Sequence, residues 1–318
     1  MAFELTLPSF AKINWTLRIL GRRPDGLHEI QTIFQTISLN DRLSFARLED
    51  GRVEIYTDSL ALPTGEANLV HRAASALQKR FGVRRGARIR IEKRIPIGGG
   101  LGGGSSNAAI TLLALARLWE LDVSGSDLIE LGAELGADVP FFFLGGTALG
   151  YGTGRMVTPL PDVEASHLLI IVPSVKISTA EAYASLNAPA LTNEETAHIL
   201  SVSRKTEDLV ERLQGVLRND FEPTVFRSYP EVRRAHEALL ESGAKLAFLS
   251  GSGSSVVGLF DNEEERQRAA SMLLGAAVGR IELCSTLGRD QYRARLGECA
   301  ALLASSNGEE FHWGVAKW

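Results

Sequence analysis

Cysteine is scarce: Cys284 and Cys299 are the only two in 318 residues, and their spacing fits neither a zinc site, a redox pair nor a disulfide scaffold. Such usage suits a reducing cytosol, with both thiols buried or idle. No uncharged apolar run reaches membrane-spanning length, and the opening MAFELTLPSFAKIN lacks the basic segment, apolar core and small-residue site of a secretory leader. A cytoplasmic protein without membrane contact is expected. Positive charge is not in excess either. The 34 Lys and Arg are outnumbered by 38 Asp and Glu, for a formal net charge of -4. No overall field recruits nucleic acid, so any bound anion must be held by local groups. What the chain does have is 45% hydrophobic residues and enough length for two domains with substantial cores.

Its most distinctive stretch is Pro96-Ile97-Gly98-Gly99-Gly100-Leu101-Gly102-Gly103-Gly104-Ser105-Ser106-Asn107. Glycine admits left-handed backbone angles and lets a ligand approach the amides, and the apolar run at 108–121 predicts a helix beginning at this loop. Unpaired helix N–H groups and the positive dipole end would face one spot, which suits a polyanion such as a triphosphate. Gly98, Gly100 and Gly103 satisfy G-x-G-x-x-G, but the preceding strand is half polar. The acids at the expected distance, Glu120 and Asp122, end a helix rather than a second strand, which argues against a dinucleotide fingerprint. Gly104 stands where a P-loop requires lysine. Ser105, Ser106 and Asn107 could cap the helix or reach a metal-bound phosphate, and the two roles are compatible. The helix is apolar nearly all round and is expected to be buried.

Upstream, the mixed segment 3–20 predicts two strands or one strand kinked at Pro8, followed by a turn at 21–26. Alternation would send Lys12 and Asn14 to one face, either solvated or functional. His28 follows the turn; 30–37 fits helix and strand equally. Two short strands within 42–56, separated by Glu49-Asp50-Gly51, predict a hairpin. A helix is expected over 68–77 and on to Phe81, with Gly82 just beyond it. The strand at 87–93 alternates strictly and should be buried on one face. Of the basic residues around it, Lys93 and Arg94 lie next to the glycine loop and have the better claim to a ligand.

Downstream, 126–136 predicts a capped helix with a glycine stop. Asp138 then precedes Pro140 and three phenylalanines. A carboxylate with few waters around it needs a cation or a proton, which makes Asp138 a candidate site residue. A second glycine-rich turn is expected over 145–154. The apolar strand at 168–173 opens a second domain, with the boundary near Leu160. In that half, 187–208 is polar and predicts a loop with a marginal helix. Short strands at 244–249 and 256–260 flank a serine-glycine loop, and a helix follows over 263–274.

Ala11-Lys12-Ile13-Asn14, Pro24-Asp25-Gly26-Leu27-His28, residues 96–107, Gly136-Ala137-Asp138-Val139-Pro140 and Leu249-Ser250-Gly251-Ser252-Gly253-Ser254-Ser255 resemble, in order, the motifs of the GHMP small-molecule kinases. The resemblance reaches Ser285-Thr286-Leu287-Gly288-Arg289 and Tyr292 and so covers most of the chain. It implies an α+β fold of two domains, ribosomal-protein-S5-like over 1–160 and a ferredoxin-like α/β plait over 161–303, with a tail at 304–318. It also implies an active site in the interdomain cleft, ATP with Mg²⁺ as phosphoryl donor, and a monomer or weak homodimer.

By the same resemblance, Pro96, Gly98, Gly99, Gly100, Leu101, Gly102, Gly103, Gly104, Ser105 and Ser106 hold the ATP phosphates, and Asn68 and Lys93 line the adenine pocket. Lys12 and Asp138 are the catalytic pair, and Asn14, His28, Asp138 and Tyr183 meet the acceptor. That acceptor would be methylerythritol carrying a cytidine diphosphate, with His28 on the cytosine and Tyr183 a candidate to stack on it. Leu27 departs from the tyrosine of some relatives. Of the serine-rich loop 250–255, only a place near the phosphates is implied. A sugar, homoserine or mevalonate acceptor is the nearer alternative, and a non-catalytic nucleotide-binding relative the more distant.

Overall fold

The computed structural model describes residues 2–186 and 217–303. The polar stretch 187–208 and the tail 304–318 lie outside the described residues. The first strand, β1 (Leu5–Arg22), runs unbroken through Pro8 and pairs antiparallel with β2 (His28–Leu48) along its length. Irregularities at Phe10/Lys12, Asn14/Thr16 and Ile19/Gly21 supply the bending that the sequence suggested for Pro8. The turn is confined to 23–27, and 30–37, which fitted either type of element, is strand.

The hairpin expected over 42–56 does not form. β3 (Val53–Thr57) pairs in parallel with β4 (Gly86–Glu92), and β4 lies between β3 and β2. Parallel neighbours need a crossover, and α1 (Leu69–Phe81) supplies it. Asn68 caps its start and left-handed Gly82 (φ +64°) ends it. Gly86 admits the arrangement because a Cβ there would sit 2.1 Å from the Arg52 carbonyl oxygen. Ala87, Ile89 and Ile91 of β4 are buried, as strict alternation predicted.

α2 (Gly103–Leu118) is buried almost throughout and packs against α1 and β1. It begins five residues earlier than expected, because left-handed Gly102 (φ +69°) starts it. Ser105 and Ser106 are therefore inside the first turn and cap nothing. α3 (Gly125–Leu135) carries a Ser124–Asp127 capping box, and α4 (Phe141–Leu144) buries all three phenylalanines. The stretch 145–154, expected as a turn, is mostly strand: β5 (Thr147–Gly152) pairs with β2 and with β6 (Met156–Pro159). Its Gly150 lies under Phe34, where a Cβ would be 2.4 Å from the ring.

The second sheet has the order β10 (Arg280–Cys284), β7 (Leu168–Val172), β9 (Val256–Leu259), β8 (Leu246–Leu249), all antiparallel. α5 (Thr179–Ser185), α6 (Glu222–Ser228), α7 (Pro230–Glu241) and α8 (Glu263–Gly275) accompany it. Ala11, Ile13 and Trp15 of β1 share a core cluster with Leu168, Ile170 and Val257, which joins the two sheets. The chain then returns to the first core: Tyr292 of α9 (Arg289–Leu296), Leu296, Cys299 and Leu303 pack there, and the Tyr292 hydroxyl donates to the Phe142 carbonyl. Among the described residues no helix is long and apolar enough to cross a membrane.

Candidate active site

One cleft of about 1100 Å³ runs from Asn68 and Lys93, past the glycine loop, to His28 and Tyr183. Its size exceeds the usual span of a single small-ligand pocket. At one end Gly98, Gly100 and Gly102 have φ of +78°, +77° and +69°, left-handed values that favour glycine. Close packing enforces the sequence further. A Cβ on Gly100 would lie 2.5 Å from the Ser250 carbonyl oxygen, and one on Gly99 2.7 Å from Ser255 Oγ. The serine-rich loop 250–255 of the second sheet thus closes directly on the glycine loop. The backbone N–H of Ser255 donates to the Gly99 carbonyl (3.2 Å). α2 starts at this loop, so its unpaired first-turn amides and positive dipole end open to the cleft.

Beneath the loop lies a residue that sequence reasoning missed. Asp41, 0% exposed, accepts from the Arg94 and Ile95 amides through Oδ1 (both 2.8 Å). Its Oδ2 accepts from Lys93 Nζ (2.7 Å) and Asn107 Nδ2 (3.0 Å). One carboxylate therefore ties β2, the segment leading to the glycine loop and the N-terminal part of α2. Burial pushes the Lys93 ammonium down from its ordinary value while Asp41 opposes the shift. The available signal was a lone acid within the apolar alternation of 37–48.

Asn68 and Lys93 both line the cleft, but their polar ends are committed to the protein. The Asn68 amide caps α1 and donates to the Pro63 carbonyl, and Lys93 is held by Asp41. Arg94 is exposed and does not line the cleft. Ser106 departs from expectation: it is fully buried, 2.7 Å from Ser9 Oγ on β1, and turned away from the cleft. Leu101 gives its side chain to the core and its carbonyl to the Lys12 amide (3.0 Å). Pro96, Ser105 and the glycines 98–100 and 102–104 face the cleft.

Midway along the cleft, the Lys12 ammonium is 5% exposed and lies 3.3 Å from Asp138 Oδ2. It donates to Asn14 Oδ1 (2.7 Å); Asn14 Nδ2 donates to Thr32 Oγ1, and Thr32 to the Thr16 carbonyl. The two residues that alternation placed on one face thus form one relay, and it holds the lysine. Asp138 was expected to see few waters, yet its side chain is 32% exposed, because it opens to the cleft rather than into the phenylalanine cluster behind it.

At the far end the His28 and Tyr183 rings stack with centroids 4.9 Å apart and a 30° tilt, and Phe221 packs edge-on to Tyr183. Leu27, 49% exposed, lines the rim. Burial, and secondarily the Arg22 charge, lower the His28 imidazole below its ordinary value, which favours the neutral ring. Burial, and secondarily the Asp138 charge, raise the Tyr183 phenol. Among the described lining residues Asp138 is the one carboxylate, against Lys12, Arg22, Lys93 and Arg155. A chain of net negative charge has built a cationic cleft.

The descriptions "GHMP kinases N terminal domain" and "GHMP kinases C terminal" match residues 68–146 and 202–278. A 4-diphosphocytidyl-2-C-methyl-D-erythritol kinase of Pseudomonas putida (strain W619) is 42% identical over 276 residues, 87% of this chain and 91% of that protein. A crystal structure of 4-(cytidine 5'-diphospho)-2C-methyl-D-erythritol kinase superposes with a TM-score of 0.71 at 34% identity, covering 89% of this chain and all of the other. A homoserine kinase from Cytophaga hutchinsonii reaches 0.67 at 20% identity, covering 92% and 98%, a likeness of fold alone. The chain belongs to the GHMP kinases and, within them, to the family of 4-diphosphocytidyl-2-C-methyl-D-erythritol kinases. It is an ATP-dependent small-molecule kinase of the two-domain fold that its motifs implied.

Proposed function

We propose that the chain transfers the terminal phosphoryl group of ATP to the 2-hydroxyl of 4-diphosphocytidyl-2-C-methyl-D-erythritol, a step of non-mevalonate isoprenoid precursor synthesis. The observation that carries this reading is the Lys12–Asp138 pair, 3.3 Å apart, between the glycine loop and the His28–Tyr183 stack in one cleft.

Phosphoryl transfer asks a protein for in-line positioning and for neutralisation of negative charge. The glycine-loop amides and the α2 N-terminus hold the nucleotide phosphates. Asp138, open to the cleft, accepts the hydroxyl proton. Lys12, fixed by Asn14, orients that carboxylate and stabilises the oxygen as it gains charge. His28 and Tyr183 give the cytosine an aromatic wall, and the apolar Leu27 side chain stands at its rim. Magnesium would neutralise charge on the β- and γ-phosphates. Among the described residues no cluster of three His, Cys, Asp or Glu side chains exists to hold a metal. The donors present would fit an ion carried on the nucleotide, bound mainly by phosphate oxygens and water, with Asp138 the one carboxylate and Ser105 one of the hydroxyls among the described lining residues.

The test is ATP turnover with the cytidine substrate beside its uridine analogue. A clear preference for cytidine is expected. Equal rates would remove base recognition by the His28 end, and no rate with either would remove the assignment.

A further inference from the structure

The cationic side chains of the cleft are of two kinds. Lys12 and Lys93 are already ion-paired, with Asp138 and Asp41. Arg22 and Arg155 are exposed, and among the described residues neither guanidinium has an ion pair or hydrogen bond. The neighbour of Arg22 shows the contrast: Arg23 is held by Asp25 (3.2 Å) and Glu29 (3.0 Å).

The backbone brings the two free arginines to the same end. Arg22 closes β1 in register with His28, and its charge acts on the His28 ring. Arg155 lies in the β5–β6 turn, whose Gly154 packs against Ile30 and Ala137, the residue before Asp138. The arginines therefore flank the route from the aromatic stack to the Lys12–Asp138 pair. The nucleotide phosphates have the glycine loop and α2 for their charge, so uncommitted charge at this end answers a second anion.

We propose that Arg22 and Arg155 clamp the diphosphate of the acceptor, which fixes the span between its base and the hydroxyl that reacts. The inference rests on the functional reading above and adds residues that the family motifs do not include. A guanidinium fits a phosphate through two parallel N–H bonds, and such charge-assisted contacts are the stronger kind. A neutral sugar acceptor would leave both arginines without work.

The experiment compares Arg22→Ala, Arg155→Ala and the double variant with wild type, measuring KM for the acceptor and for ATP separately. Inhibition by cytidine diphosphate and by cytidine is measured alongside. Each single change should raise the acceptor KM about tenfold, the loss of a charge-assisted contact, with kcat and the ATP KM within about twofold. Cytidine diphosphate should lose its advantage over cytidine in the double variant, and Arg22→Lys should restore part of it. Both side chains are exposed and unpaired, so folding should be unaffected. An unchanged acceptor KM would overturn the clamp. So would an equal rise in the ATP KM, or equal weakening of cytidine and cytidine diphosphate. If wild type does not phosphorylate the cytidine substrate at all, the functional reading fails instead, and the cytidine diphosphate to cytidine ratio still decides whether the arginines hold a diphosphate.

Discussion

At the glycine-loop end of the cleft, the buried polar side chains that shape the site are spent inside the protein. Asp41 uses both oxygens on four donors, Asn68 caps a helix, and the glycines are wedged against the 250–255 loop. At the His28 end His28 and Tyr183 are half-buried, Leu27 is exposed, and two arginines are uncommitted. The first end is made mainly of backbone, which suits it to the nucleotide phosphates proposed there. The second is made mainly of side chains and, in the proposed function, meets the acceptor.

The largest effect expected from breaking this contrast is at Asp41. Asp41→Asn turns an amide toward the buried Lys93 ammonium, and removing one partner of a buried pair costs about 3–5 kcal/mol. Denaturant unfolding should show that loss, with the ATP KM raised as the loop loosens. Near-native stability would mean that the node is not what holds the loop.

Asp138→Asn comes next. It keeps shape and most packing at a partly exposed site, so stability and ATP binding should remain near normal, while turnover falls about a hundredfold or more, as when a general base is lost. Turnover close to wild type would remove Asp138 from the mechanism. Within the glycine loop the prediction is graded. Gly98 has open space around its missing Cβ, so Gly98→Ala costs only the left-handed strain of about 1–2 kcal/mol. Gly100→Ala adds the clash with the Ser250 carbonyl and should raise the ATP KM further. Equal effects would show that packing against the serine loop does not matter.

Local rules made parts of this molecule legible in the sequence. The glycine run, the Lys12–Asn14 alternation, the Asn68 to Gly82 helix and the strands flanking the serine loop all follow from propensities within a few residues. What sequence could not supply was long-range. β3 takes β4 rather than β2 because α1 carries the chain across, and no residue within 42–56 encodes that partner. Ser106 reads as a phosphate ligand until the helix is known to start at Gly103, which turns its hydroxyl to Ser9. Asp41 looks like one more surface acid because its four donors come from segments more than fifty residues away. Arg22 and Arg155 stand 133 positions apart in numbering and meet one cleft only through β2.

The smallest predicted effect sharpens the same contrast through pH. His28 has its imidazole lowered below 6.5 by burial first and by the Arg22 charge second. Just below pH 6.5 the unfolded chain therefore binds more protons than the folded one, and stability rises with pH across that window. The contribution is fully present above 6.5 and is lost as pH falls through the lowered folded value. Thermal unfolding of wild type and His28→Asn, followed from about pH 8 down to about pH 5, should show the wild-type Tm falling faster over the acid part of the range. Arg22→Ala removes the second cause and should narrow the gap without closing it, because burial remains. A Tm difference between wild type and His28→Asn that does not change with pH would show that His28 is as well solvated as in the unfolded chain. The His28 end would then be open to water rather than a partly buried pocket.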